Sequence, residues 1–196
     1  PLIGALLVSS LLTPAAPAAP SAVPLEGGSF SWGIKQSFLS YVVSPAAGGV
    51  VEGQDGASYS DGQFHFPVDV AESTVDTSGN GTLILEGAAV IKAHEGLGEN
   101  GGWGLDLRYD DLTLTIEGQS ATLTADYHVT GAAGRGGEGY LDRSGDDVTL
   151  ITFTLDEPVN LEAGTVNLSA TETVVEPGLT ESLPNYQPGS KLDGAD

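Results

Sequence analysis

Short segments in which apolar and polar residues alternate recur through the middle of the chain. Residues 105–109, 112–116 and 121–125 alternate at period two. Strict alternation rich in threonine and valine is typical of antiparallel strands that bury one face. Residues 81–92 form a longer apolar run, in which a bend is expected at Gly87 because glycine weakens a strand interior. The pattern predicts a mainly β protein, an antiparallel β-sandwich or barrel-like sheet with one or two short helices.

One segment near the N-terminal end departs from this alternation. Ile34, Phe38 and Tyr41 are spaced as i, i+4 and i+7, which places them on one face of a helix of two to three turns. A serine before the segment, Ser29 or Ser31, is the expected N-cap. A short helix beside a β-sheet is expected to pack over a sheet edge or an opening.

The two ends of the chain differ from its middle. Residues 1–25 carry no charge, and an apolar stretch at 2–12 is followed by proline and alanine. This predicts a signal peptide remnant or membrane anchor plus a Pro/Ala linker, and both alternatives place the rest of the chain outside the cytoplasm. Residues 177–196 are rich in glycine and proline and are predicted to be a flexible C-terminal tail. The folded β domain is therefore expected at 26–176.

The charge balance of the chain narrows the possible function classes. Its 27 acidic and 6 basic residues give a formal net charge of −21, which argues against binding to nucleic acid. The absence of cysteine excludes disulfides, thiolate metal sites and cysteine nucleophiles. No Gly-x-Ser-x-Gly motif occurs, and the chain is expected not to be an enzyme. Acidic pairs at 110–111 and 146–147 are interpreted as solvated charges in turns between strands.

Several short motifs occur in a fixed order along the chain. They are FSWGIK at 30–35, SF and YV at 37–38 and 41–42, DGQFHFP at 61–67, GTLILEG at 81–87 and HEGL at 94–97. This ordered set resembles the HtaA-type haem-binding domain family of corynebacterial and other actinobacterial cell envelopes. The resemblance covers about residues 28–155. It implies a β-rich domain that binds one haem through a tyrosine iron ligand, with a histidine behind that ligand.

Carried over residue by residue, the resemblance implies that Tyr41 is the ligand of the haem iron and that His94 is its hydrogen-bond partner. A phenolate is a hard anionic donor, so the implied cofactor is ferric haem b. Phe38 and Trp32 are interpreted either as contacts to the porphyrin face or as core residues. Lys35 is the basic residue nearest Tyr41 in this part of the sequence and is a candidate partner of a haem propionate.

Two hypotheses of different classes follow. The preferred one is an extracytoplasmic haem-binding protein, secreted or attached to the cell envelope, that captures or relays haem for iron acquisition. Its partners would be haem donor or acceptor proteins of the envelope. The alternative is a non-catalytic accessory subunit of a membrane complex, anchored by residues 1–12. That subunit would present an HtaA-like domain on the outer face of the membrane without any cofactor.

Overall fold

Antiparallel β-structure dominates the computed structural model, which describes residues 21–132, 139–162 and 165–196. Strands make up 59% of the structure and helices 10%, so the predicted mainly β fold class is confirmed. The strands are β1 (Ala22–Val23), β2 (Ser29–Trp32), β3 (Val50–Gln54), β4 (Ser58–Ser60), β5 (Gln63–Asp76), β6 (Gly81–Leu85), β7 (Ala88–Glu95), β8 (Trp103–Glu117), β9 (Ser120–Ala132), β10 (Tyr140–Thr154), β11 (Asn160–Glu162), β12 (Thr165–Asn167), β13 (Ala170–Val175) and β14 (Lys191–Ala195). The α-helices are α1 (Gln36–Val42) and α2 (Pro177–Ser182), and Glu99–Gly101 form a 3₁₀ turn.

Eight of the strands close into a ring of antiparallel pairs. The order around the ring is β5, β2, β14, β13, β10, β9, β8 and β6, and β6 pairs back to β5. Side chains that alternate inward fill the interior, where Phe30 stacks on Phe153 with ring centroids 6.3 Å apart. Both of these side chains are almost fully buried. The closure favours a barrel-like sheet over a sandwich, the two forms that the alternation predicted.

Three long strands, β8, β9 and β10, continue beyond the ring into an open sheet with β7 and β3. Bulges mark the corner, at Asp111 in β8 and Asp147 in β10, where the cross-strand register shifts. Both residues have positive φ, 49° and 50°, at the point where each bulged strand bends. The acidic pairs at 110–111 and 146–147 therefore lie within strands, and the prediction that they lie in turns is wrong.

The two helices lie over the inner face of the open sheet. Ser182 of α2 shares a 2.5 Å hydrogen bond with the buried hydroxyl of Tyr109 on β8. Phe38 of α1 meets the edge of Tyr186, which follows α2, at a centroid distance of 6.1 Å. Through these contacts the C-terminal segment connects α1 to the sheet.

The predicted helix exists, but its buried face and its cap differ from the expectation. The buried helical residues are Leu39 and Val42. Ile34 precedes the helix, has a positive φ of 52° and is buried in the core, but not as part of a helical face. Ser29 and Ser31 belong to β2, so neither caps α1. The predicted serine cap is wrong because those residues are already engaged in sheet pairing.

The apolar run at 81–92 contains two strands, β6 and the first part of β7, separated at Gly87. Gly87 has φ of 95°, and a Cβ atom there would overlap the backbone of Ala57. The bend that the sequence predicts at this glycine is confirmed.

Residues 177–196 are an integral part of the fold, and the prediction of a flexible tail is wrong. Leu179, Leu183 and Leu192 are buried in the core. Strand β14 pairs with β13 and β2 within the ring. At the other end β1 pairs with β5, so the folded unit begins before residue 26. Burial of a few leucines outweighs the glycine and proline content from which the tail was predicted.

The predicted signal or anchor segment falls largely on residues 1–20, which lie outside the described residues. None of the helices in the described part of the chain has the length and apolar character needed to cross a membrane.

Candidate functional site

Tyr41 and His94, which are 53 positions apart in the sequence, are in direct contact in the structure. The phenol oxygen of Tyr41 lies 3.1 Å from Nε2 of His94, within hydrogen-bond distance. Their rings are tilted by 54° with centroids 5.8 Å apart. Tyr41 is 48% exposed and His94 is half-buried. The pair therefore presents an oxygen and a nitrogen donor to solvent, held by one mutual hydrogen bond.

The last turn of α1 places Tyr41 at the rim of the open sheet. Leu39 and Val42 face the core, which turns the intervening Tyr41 outward. The chain then folds back at once, since the N–H of Gly49 donates to the carbonyl of Val42 at 2.8 Å. A Cβ atom on Gly49 would overlap the backbone carbonyl of Lys92 on β7. The glycine thus allows the end of α1 to approach the strand that carries His94.

The backbone of His94 is held in an uncommon conformation. Its φ is 58°, in the left-handed region that non-glycine residues seldom occupy. On one side, β7 pairs with β8 both before and after His94, at Ala93 and at Glu95. On the other, the His94 N–H donates to the carbonyl of Ala47 at 2.8 Å, in the loop after α1. Such outliers persist where neighbouring structure enforces them, and here the enforcing contact comes from the loop that follows Tyr41.

The surroundings of the pair favour an apolar ligand that carries a cation. Tyr41 stands near the C-terminal end of α1, where the helix dipole places partial negative charge. Exposed apolar side chains lie in the adjoining segments, Val43 at 53% and Leu97 at 63% exposure. A phenol oxygen is a hard donor suited to ferric iron, and an adjacent imidazole can hold a proton next to it. These residues fit the haem group that the motifs imply.

Asp193 of β14 anchors the other end of α1. Its carboxylate accepts the backbone N–H of Gln36 at 2.5 Å and the ammonium of Lys35 at 2.6 Å. The Asp193 N–H also donates to the carbonyl of Ile34 at 3.2 Å. Partial burial tends to raise the pKa of Asp193, but the hydrogen bonds from Gln36 and Lys35 outweigh it and lower that pKa. No local pattern predicts this cap, because 157 positions separate Gln36 from Asp193.

The other predicted site residues, Lys35, Trp32 and Phe38, have their described contacts with residues other than Tyr41 and His94. Lys35 lies at the opposite end of α1 from Tyr41, in its ion pair with Asp193. Trp32 is 1% exposed and belongs to the core on β2, which is the packing role that the sequence left open. Phe38 is half-buried against Tyr186, on the same side of the sheet as the pair.

The two remaining histidines have separate partners. His65 lies between the hydroxyls of Ser31 and Ser60, at 3.0 Å and 3.1 Å from its two ring nitrogens. His128 contacts a carboxylate oxygen of Asp142 at 3.0 Å on an exposed part of the sheet. Neither contact involves Tyr41 or His94.

An acidic cluster occupies the corner between ring and open sheet. Carboxylate oxygens of Asp111, Asp126 and Asp147 lie within 4.8 Å of one another. The negative charge of Asp126, a hydrogen bond to it, and the charge of Asp147 raise the pKa of neighbouring Asp146. The cluster follows from the two bulges, which bring aspartates of three adjacent strands together on an exposed surface.

These observations define a class, a barrel-like antiparallel β domain with a solvent-facing tyrosine–histidine pair at the rim of an open sheet. The chain belongs to the HtaA family, whose model, described as Htaa, matches residues 27–196. The family resemblance seen in the motifs is thereby confirmed.

Solved structures from Corynebacterium glutamicum share the fold. The N-terminal domain of HtaA is 24% identical with a TM-score of 0.73, and the match covers 91% of this chain and 97% of that domain. The C-terminal domain of HtaA is 21% identical with a TM-score of 0.70 and coverage of 89% and 96%. HtaB, described as a heme binding protein, is 22% identical with a TM-score of 0.66 and coverage of 86% and 90%. A comparison with curated protein sequences finds no match.

Proposed function

We propose that this chain is an extracytoplasmic haem-binding protein in which Tyr41 is the iron ligand and His94 its hydrogen-bond partner. The observation that carries the proposal is the 3.1 Å contact between the phenol oxygen and Nε2 of the imidazole. Membership of the HtaA family and the likeness to a heme binding protein of the same fold support it.

The pair can exchange a proton without help from solvent. With Nε2 of His94 unprotonated, the phenol O–H of Tyr41 donates to it across the 3.1 Å contact. When the phenol becomes a phenolate, the proton stays on Nε2, and this N–H donates a hydrogen bond to the phenolate oxygen. Bound haem supplies the ferric ion, a Lewis acid that favours the phenolate form. His94 therefore orients Tyr41 and compensates part of the charge that develops on it.

The role we propose is carriage of ferric haem b, either capture or relay, and not catalysis. The ligand oxygen belongs to a side chain that is 48% exposed, so a flat ligand can reach it directly from solvent. Donor and acceptor proteins of the envelope are the proposed partners. The net charge of −21 favours partners with a basic contact surface.

The extracytoplasmic location is proposed from the apolar stretch at 2–12 and the Pro/Ala segment after it. Intact-mass analysis of the protein isolated from its native cells distinguishes the secreted carrier from the anchored alternative. A mature N-terminus near residues 17–23 is expected for a secreted carrier. Retention of residues 1–12 would favour the accessory subunit anchored by that segment.

The proposed ligand is tested by titrating the full chain with ferric haem and recording absorption spectra. We expect saturation near one haem per chain with tyrosinate-to-iron charge-transfer bands. Tyr41→Phe should abolish those bands. Tyr140→Phe is the matched control, because Tyr140 is 45% exposed and comparable to Tyr41 in accessibility. Unchanged bands in Tyr41→Phe would refute the assignment of Tyr41 as the iron ligand. If the wild type showed no saturable haem binding, the accessory-subunit alternative would be favoured.

A further inference from the structure

Arg143 extends from an otherwise apolar row on the inner face of the open sheet. In the antiparallel register Arg143 on β10 lies opposite Val129 on β9, which lies opposite Leu107 on β8. Directly opposed residues point to the same face of a sheet. Val129 and Leu107 are fully buried, whereas Arg143 is exposed. The guanidinium group therefore stands where the covered inner face opens to solvent.

Among the residues that the structure describes, no carboxylate forms an ion pair with Arg143. The other basic residues of the described ranges form ion pairs, namely Lys35 with Asp193, Lys92 with Asp106, Arg108 with Asp55 and Asp110, and Lys191 with Glu172. Within 4.0 Å of Arg143 the described part of the chain places no carboxylate oxygen. In a chain with 27 acidic and 6 basic residues, an arginine that forms no ion pair within the described ranges can receive an external anion.

The register brings Arg143 to the same end of the sheet as the tyrosine–histidine pair. The row through Ala93, the residue before His94, continues across Leu105 and Gly131 to Leu141. By strand alternation His94 itself lies on the other face, opposite Gly104, whereas Tyr41 belongs to α1, which lies over the inner face. Arg143 is two positions from Leu141 on the same strand and therefore on the same face. Three strand spacings separate β7 from β10, a span of about 14 Å. That span is comparable to the width of a porphyrin with its side chains.

The surface between the two positions suits a flat apolar ligand. Leu105 and Leu141 are half-buried, so each presents part of its side chain to solvent. Lys35, the basic residue that the sequence predicted for this purpose, is committed to Asp193 at the far end of α1. A ligand bound at Tyr41 and lying across the inner face would thus meet leucine side chains first and the guanidinium of Arg143 at its edge.

We propose that Arg143 binds a propionate carboxylate of the haem held at Tyr41, with Leu105 and Leu141 against the porphyrin. The inference rests on the proposed function and adds the anion-binding part of the same site. Arginine suits this role because its planar donors match a carboxylate in a two-point arrangement. It also offsets locally the repulsion that a strongly acidic chain exerts on a ligand with two carboxylates.

Two probes separate the anion contact from the rest of the site, ferric haem and its dimethyl ester, in which both propionates are esterified. For Arg143→Gln we expect the Kd of ferric haem to rise about two- to fivefold, the range of an exposed ion pair. The Kd of the dimethyl ester should not change. Arg143→Lys keeps the charge but not the two-point geometry. Its Kd for ferric haem should therefore lie between those of the wild type and Arg143→Gln. Lys191→Gln is the matched control, because it removes the same charge from β14.

The outcomes distinguish this inference from the function on which it rests. If the wild type binds ferric haem and Arg143→Gln binds it with the same Kd, the Arg143 contact is refuted and the proposed function is not affected. An equal loss of haem and dimethyl ester affinity also overturns it, since the effect would not depend on the carboxylate. Wild type that binds neither probe refutes the proposed function and this inference with it. Retained charge-transfer bands in Arg143→Gln would show that the Tyr41 ligand is intact.

Discussion

Removing the side chain of Asp193 is expected to loosen the helix that carries Tyr41. The carboxylate accepts the N–H of Gln36 at 2.5 Å and pairs with Lys35 at 2.6 Å. Loss of an N-terminal cap costs about 1 kcal/mol of unfolding free energy, and loss of an exposed ion pair about 0.5 kcal/mol. Asp193→Ala should therefore lower the free energy of unfolding by about 1.5 kcal/mol. For a chain of this size that corresponds to a Tm lower by about 3–6 °C.

A graded series of variants separates the cap from the ion pair. Asp193→Asn retains an oxygen acceptor for the Gln36 N–H but loses the charge that pairs with Lys35, so about a third of the effect is expected. Glu172→Ala is the control, because Glu172 pairs with Lys191 at 2.6 Å on an exposed strand surface and caps no helix. Its unfolding free energy should fall by no more than about 0.5 kcal/mol. Urea unfolding followed by circular dichroism measures all three.

The pH dependence of these differences has a definite sign. The pKa of Asp193 is lowered in the folded protein, because hydrogen bonds from Gln36 and Lys35 outweigh the effect of burial. A lowered folded-state pKa means that the stabilisation is present above the unfolded-state pKa and is lost as the pH falls through the folded-state value. The difference between wild type and Asp193→Asn should therefore be full at neutral pH and shrink below about pH 4.

The same variants connect the cap to the tyrosine. If α1 depends on Asp193, ferric haem should bind Asp193→Ala more weakly, by at most about tenfold, since 1.4 kcal/mol corresponds to a factor of ten. The charge-transfer bands should remain, because the ligand itself is unchanged. An Asp193→Ala protein that matches Glu172→Ala in stability at every pH would refute the reasoning. So would one that binds haem as tightly as the wild type while losing the expected stability.

Two further predictions concern the pair and the acidic corner. His94→Ala should weaken ferric haem binding by about 10–100-fold in a spectroscopic titration, the usual cost of removing a group that supports a ligand, and an unchanged affinity would contradict its role beside Tyr41. Asp146→Asn should raise the Tm at neutral pH, because the charge of Asp126 raises the pKa of Asp146 and the folded protein favours its neutral form. That gain should disappear toward pH 3, where the wild-type carboxyl is protonated as well. Glu157→Gln is the control, because Glu157 is an exposed carboxylate in the connection after β10. An equal gain in both variants at every pH would argue against local repulsion.

Local patterns in the sequence predicted those features whose causes are local. The alternation of residues 105–109 and 121–125 reappears in β8 and β9, because one face of each strand is buried over most of its length. The bend at Gly87 follows from a backbone conformation that glycine adopts readily. The segment containing Tyr41 is helical as predicted, since Leu39 and Val42 provide an apolar face at helical spacing.

Features with distant causes were not predictable in the same way. The ring closes where β6 pairs with both β5 and β8, and no pattern within β6 specifies two partners. The cap of α1 comes from Asp193, so a search for nearby serines selects the wrong residues. In the sequence Arg143 is flanked by acidic and small residues. Only the cross-strand register reveals that it extends from a buried apolar row.

The predicted domain boundary at residue 176 would remove a C-terminal segment that both the fold and the candidate site need. Strand β14 completes the ring between β13 and β2, and its Asp193 also fixes the start of α1. Tyr186, in the connection between α2 and β14, packs against Phe38 of α1, the helix that carries Tyr41. Tyr41 is therefore held from one side by β7 through His94 and from the other by the last twenty residues. A segment rich in glycine and proline thus positions the residue on which the proposed function depends.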